Sequence, residues 1–224
     1  MTEGSPDYGD EYLTVADGLR LHYRDFAGAA DKPPLLCLHG LTRNARSFDN
    51  LAARIAPRRR VIALDFRGRG LSDYDPQPER YTPLIYSGDV LHLLDELAIR
   101  EAVFLGTSLG GLVTMIIAAT APQRIDAAII NDVGPDVAPG GVGRILTYVG
   151  KDVRFLSWDG AADRIASNYG AAFERYSHAD WVNMAKDYGA VLVGDRWAIV
   201  TDPKIQEGLR GKIGGEIQGS EHAH

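Results

Sequence analysis

Gly106-Thr107-Ser108-Leu109-Gly110 sets a serine at the centre of a G-x-S-x-G pattern. It follows an apolar run, Ala102 to Leu105, and precedes a stretch from Leu109 to about Ala121 that reads as a helix stopped by Pro122. A strand-to-helix turn this tight puts the serine in a strained backbone conformation, so the residues two before and two after it must be small. Gly106 and Gly110 meet that requirement. The helix start aims backbone N–H groups and its positive dipole end at negative charge developing beside the hydroxyl. The chemistry is nucleophilic attack on a carbonyl, with Ser108 as nucleophile and Leu109 N–H as one oxyanion donor. The second donor is expected from the loop after the third strand, Leu38-His39-Gly40-Leu41-Thr42, where Leu41 N–H is the candidate.

The elements that must position these groups follow a simple rhythm. Leu35–Leu38, Val61–Leu64, Ala102–Leu105 and Ala127–Ile130 are apolar throughout, as strands covered on both faces are. Between them Phe48, Leu51, Ala52 and Ile55, and again Val90, Leu93, Leu94 and Leu97, fall at helical spacing. Thr82-Pro83 supplies an N-cap and first-turn proline for the second of these helices. The pattern predicts βαβ units and a mostly parallel sheet with helices on both faces. Ahead of it, Tyr12–Val15 and Leu19–Asp25 flank Asp17-Gly18 and read as an antiparallel hairpin.

After Pro135 the rhythm stops. Pro139-Gly140-Gly141 breaks the chain, and the next seventy or so residues read as a helical lid without strong strands, including a capping box at Ser177 and Asp180 and a face of Trp181, Met184, Ala185 and Tyr188. Gly208 to Gly219 favours neither helix nor strand, and the tail is expected to be disordered. The expected divisions are therefore a core over 1–135, a lid over 136–205 and a tail over 206–224.

Composition narrows the partners. With 24 Lys and Arg against 30 Asp and Glu, a net charge of −6 and no basic run, nucleic acid is not expected. The longest mostly apolar stretch, Val113 to Ala121, falls far short of the roughly 20 residues a membrane span needs. The acidic first twelve residues do not read as a secretory signal, so a cytoplasmic location is expected. Cys37 is the single cysteine, and no zinc spacing occurs, so no metal is expected. Gly106 to Gly111 has P-loop spacing but Leu112 where a lysine is needed, and no G-x-G-x-x-G is completed.

Taken together, His39-Gly40, Asp65-Phe66-Arg67-Gly68-Arg69-Gly70-Leu71-Ser72-Asp73, the Ser108 elbow and Asn131-Asp132-Val133-Gly134-Pro135 resemble the α/β-hydrolase superfamily with a cap inserted after strand six. The resemblance covers about residues 11 to 205. It implies a cofactor-free hydrolase of a small carboxylic ester or lactone, with a serine, an acid and a histidine in that chain order. Ser108, where dehalogenases and epoxide hydrolases of this fold carry Asp, argues against those activities.

The resemblance runs out at the acid and the base. Two further βα units would need roughly 40 to 50 residues, and only Gln206 to His224 remain. Either the chain is C-terminally truncated or frame-disrupted, or the lid ends before Ile205. Asp132, at the end of strand six, is the candidate acid, or else a turn-forming residue ahead of Gly134-Pro135. His22 and His92 read as structural or surface residues and His178 as solvated, while the resemblance gives His39 a loop-shaping role. His222 and His224 satisfy the chain order, and His222 is the candidate base, on a tail with no supporting strand. Asp65, Arg67 and Asp73 read as a structural network around the two glycines. Trp158, Tyr169, Trp181, Tyr188 and Trp197 either line an apolar acyl pocket or pack the lid. A chain ending this way leaves strand six as an apolar edge, and self-association through it is expected. The alternative to an enzyme is an inactive hydrolase-fold chain that binds a ligand or partner.

Overall fold

The computed structural model describes residues 8–134, 154–188, 191–193, 196–198 and 201–207. Six strands form the main sheet: β1 (Gly9–Thr14), β2 (Arg20–Phe26), β3 (Leu35–Leu38), β4 (Val61–Leu64), β5 (Ala102–Thr107) and β6 (Ile125–Asn131). Their order is β1-β2-β4-β3-β5-β6. The first two join antiparallel, β2 meets β4 antiparallel, and β4, β3, β5 and β6 run parallel. The hairpin between β1 and β2 turns at Gly18, whose φ of 86° suits a residue without a side chain.

The continuous apolar runs are explained by helices on both sides. Because successive side chains point to opposite faces, Leu36, Leu38, Ile62, Leu64 and Phe104 pack on one side against α2 (Pro83–Glu96) and α3 (Leu109–Thr120). Leu35, Cys37, Val61, Ala63 and Val103 face the other side with Phe48 and Ala52, the latter on α1 (Asp49–Ile55). Thr82 caps α2 as expected, its side chain accepting from Ile85 N–H. The outer strand β6 differs from its neighbours: Asp126 to Asn131 are exposed, Ile129 by 54% and Ile130 by 38%.

The segment expected to form a lid contains α4 (Trp158–Tyr169) and α5 (His178–Asp187), packed around Phe155, Ala161, Ile165, Trp181 and Ala185. The capping box at Ser177 and Asp180 is formed. Where the sequence shows no strong strands, the segment also holds a small antiparallel sheet of short strands, β7 (Arg154–Phe155), β8 (Val191–Val193) and β9 (Arg196–Ala198), in the order β7-β9-β8. Strands this short carry no detectable alternation; the usable signal was Gly194-Asp195 between two short runs, a two-residue hairpin pattern. Thr201 then pairs with Arg69, and Ile205 is buried in the main core. The Pro139-Gly140-Gly141 break, the Gly-rich tail, His222 and His224 lie outside the described residues.

Candidate active site

A single residue separates β5 from α3, and it is Ser108, at φ 51° and ψ −110°. A side chain at positive φ is strained, and such strain persists only where the surroundings impose it. Here Ser108 N–H donates to Asn131 O on β6 at 2.8 Å, while Ser108 O accepts from Gly111 and Leu112 N–H at 2.9 and 3.1 Å. The two glycines of the pattern are required sterically. A Cβ on Gly106 would strike the Gly110 carbonyl, and one on Gly110 would strike the Leu38 carbonyl at the end of β3.

The loop after β3 lies directly opposite. A Cβ built on Gly40 would sit 3.7 Å from Ser108 Cβ. His39 fixes the loop's conformation: its Nδ1–H donates to Gly40 O at 2.7 Å, and its Nε2 accepts from Phe66 N–H at 3.1 Å. In a trans peptide C=O and N–H point in opposite directions, so holding the Gly40 carbonyl at His39 turns Leu41 N–H the other way. Leu41 N–H donates to no backbone acceptor among the described residues. Leu109 N–H, at the first position of α3, has no intrahelical partner by construction. Burial, reinforced by the charges of Arg69 and Arg43, lowers the His39 pKa to about 4. The ring is therefore a neutral strut with both nitrogens engaged.

The other described histidines are also committed elsewhere. His22 is buried, bonded to Asp65 at 2.7 Å and Asp10 at 2.9 Å. His92 reaches Thr14 O, and His178, exposed at the start of α5, reaches Asp159. Among the described residues, none bonds the Ser108 hydroxyl. Asp132 follows Asn131, the register partner of Thr107, and so stands beside Ser108 along the sheet edge, exposed and at φ 59°. The expected network around Gly68 and Gly70 is present: Arg67 is gripped by Asp89, Asp75 and Asp17, and Asp73 accepts from Arg20 N–H. Among the described residues no three His, Cys, Asp or Glu side chains converge as metal ligands, and no helix is long and apolar enough to cross a membrane.

A cavity of about 460 Å³ opens between this loop and α5. Gly40, Arg43 and Thr107 line it from one side; Tyr176, Met184 and Asp187 line it from the other. Of the aromatics expected there, Trp158, Tyr169 and Trp181 pack in the cluster formed by α4 and α5, and Tyr188 lies under the Arg43 guanidinium, 3.1 Å from it. The side chain of Trp197 is outside the description. Asp187 accepts from Asn50 at 2.6 Å, and burial raises its pKa. Arg43, Tyr176 and Asp187 were not anticipated; the one available signal was the position of Arg43 in the loop that begins at His39-Gly40. A larger hollow of about 750 Å³, beside Ile99, Arg124 and Ile125, lies at the opposite end of the sheet from the strand termini where such folds place their chemistry.

The chain belongs to the alpha/beta hydrolase fold family, which it matches over residues 33–193. It is 30% identical over 209 residues to a 3-hydroxybutyrate-oligomer hydrolase of Cupriavidus necator, a match covering 90% of this chain and 70% of that protein. A match to an sn-1-specific diacylglycerol lipase of Danio rerio is 31% identical over 131 residues, 58% of this chain and 40% of the lipase. The crystal structure of an alpha/beta hydrolase from Novosphingobium aromaticivorans superposes with a TM-score of 0.84 at 45% identity, covering 90% of this chain and 71% of that one.

Two outcomes follow from the packing. Gly110→Ala should cost about 1–3 kcal/mol or more by overpacking, while Gly88→Ala, on α2 with nothing within 4 Å, should be neutral or slightly stabilising; urea denaturation compares them. The lowered His39 pKa means that between pH 6.5 and about 4 the unfolded chain binds a proton that the folded chain does not. Stability from this group is full above pH 6.5 and should fall by on the order of 3 kcal/mol as the pH drops to 4. His39→Gln should flatten that part of the denaturation profile.

Proposed function

We propose that this protein is a serine hydrolase acting on a small carboxylic ester or lactone. The observation that carries the reading is Ser108, held at φ 51° on a strand–helix junction opposite the Gly40 loop. Its Oγ attacks the carbonyl, Leu41 and Leu109 N–H groups hold the oxyanion, and a histidine later in the chain accepts the proton. Within this sequence His222 is the candidate base and Asp132 the candidate acid that orients it. No cofactor enters this scheme, and the reading places the protein in the cytoplasm. The mixed lining of the 460 Å³ cavity suits a short, partly polar acyl chain. The Cupriavidus relative makes short hydroxyacid ester oligomers the first substrates to assay.

A second reading has its own support. Among the described residues no histidine bonds Ser108, and β6 presents an exposed apolar edge. On that reading the chain is an inactive hydrolase-fold protein that binds a ligand or partner.

A fluorophosphonate probe, read by intact mass, separates the two. Labelling of the wild type that disappears in Ser108→Ala supports the hydrolase; a folded chain left unlabelled supports the binding protein. Light scattering should find the 224-residue chain self-associated through β6, and a concentration-independent monomer would contradict that.

A further inference from the structure

Arg69 and Arg67 stand on the same loop and are treated differently by the fold. Arg67 is neutralised by three carboxylates. Arg69 is fully buried, yet among the described residues no carboxylate pairs with it. Its Nε–H donates to Leu41 O at 3.0 Å, and Nη1 donates to Arg67 O and to Tyr86 Oη, both at 2.8 Å. Nη2 has no partner. A buried cation kept without an anion is costly to folding. Its aim is well fixed: the guanidinium sits 5.0 Å from the Tyr86 ring and 5.6 Å from that of Tyr81, and the Arg69 backbone bridges to Thr201.

What this cation grips is the carbonyl of the residue whose N–H is the proposed oxyanion donor. We infer that Arg69 is a positioning residue for the oxyanion loop. It holds the Leu41 carbonyl and keeps a positive charge one peptide away from where negative charge develops. His39 holds the Gly40 carbonyl and Arg69 the next one, so Leu41 is fixed on both sides and its N–H needs no reorganisation as the oxyanion forms. No bond or proton is exchanged. The inference rests on the serine hydrolase reading for its kinetic consequence and on the hydrogen bond for its structural one.

The test uses wild type, Arg69→Met and Arg69→Lys, with far-UV circular dichroism to establish folding. On p-nitrophenyl butyrate, Arg69→Met should lower kcat about 10- to 100-fold with KM within about twofold, somewhat less than deleting an oxyanion donor outright. Fluorophosphonate labelling should slow in parallel. Arg69→Lys, which keeps the charge but not the forked geometry, should restore part of kcat. Hydrogen exchange of the peptide spanning 38–44 should quicken in Arg69→Met. Wild-type kcat and wild-type exchange in the folded variant would overturn the inference. If wild type is neither labelled nor active, the hydrolase reading fails, and exchange alone decides: protection lost supports the brace, protection kept overturns it. If Arg69→Met does not fold, Arg69→Lys decides by the same two measurements.

Discussion

A serine at positive φ between a strand and a helix cannot be accommodated unless the chain on either side passes very close to its neighbours. Gly110 lies against the Leu38 carbonyl and Gly106 against the Gly110 carbonyl, so α3 begins almost in contact with the end of β3. That contact brings the loop leaving β3 so near Ser108 that a Cβ on Gly40 would lie 3.7 Å from Ser108 Cβ. The parallel pairing of β3 with β5, from Leu35↔Val103 to Leu38↔Gly106, sets the level at which this happens. The register of the sheet and the geometry of the site are therefore one constraint.

Around that contact the fold invests in buried polar groups. Asp65 accepts from His22, Ala45 N–H and Leu71 N–H, tying β2, the segment before α1 and the glycine loop to the end of β4. Tyr81 donates to Asp202, which in turn donates its N–H to Gly68 O, so the segment around Asp202 closes over the same loop. Each such group would be costly if left unpaired. Their satisfaction specifies one arrangement of the loops that face Ser108.

The central strands, their flanking helices and the elbow were legible because their signals are local. Leu35–Leu38 and Val61–Leu64 are unbroken apolar runs, Thr82-Pro83 is a cap, and the two glycines around Ser108 answer a steric need within five residues. Of the small three-stranded sheet only the Gly194-Asp195 pattern left a signal, since strands as short as Arg154–Phe155 hold no period to detect. The roles of Arg43 and Arg69 were not legible. A long cationic side chain can reach in many directions, and only the fold decides that one lies over Tyr188 and the other grips the Leu41 carbonyl. Asp132 stands just past the end of β6, where the apolar run ahead of it puts it, whereas nothing local in the sequence identifies a histidine partner for Ser108.

The proposed chemistry puts the covalent step on Ser108. It is tested most directly by acid-quenching turnover of an activated ester in the steady state and mapping the acyl group by tandem mass spectrometry. The expected acyl adduct lies on the peptide that contains Ser108, at Ser108 itself. Turnover with no adduct there, or with the adduct on another side chain, would contradict it.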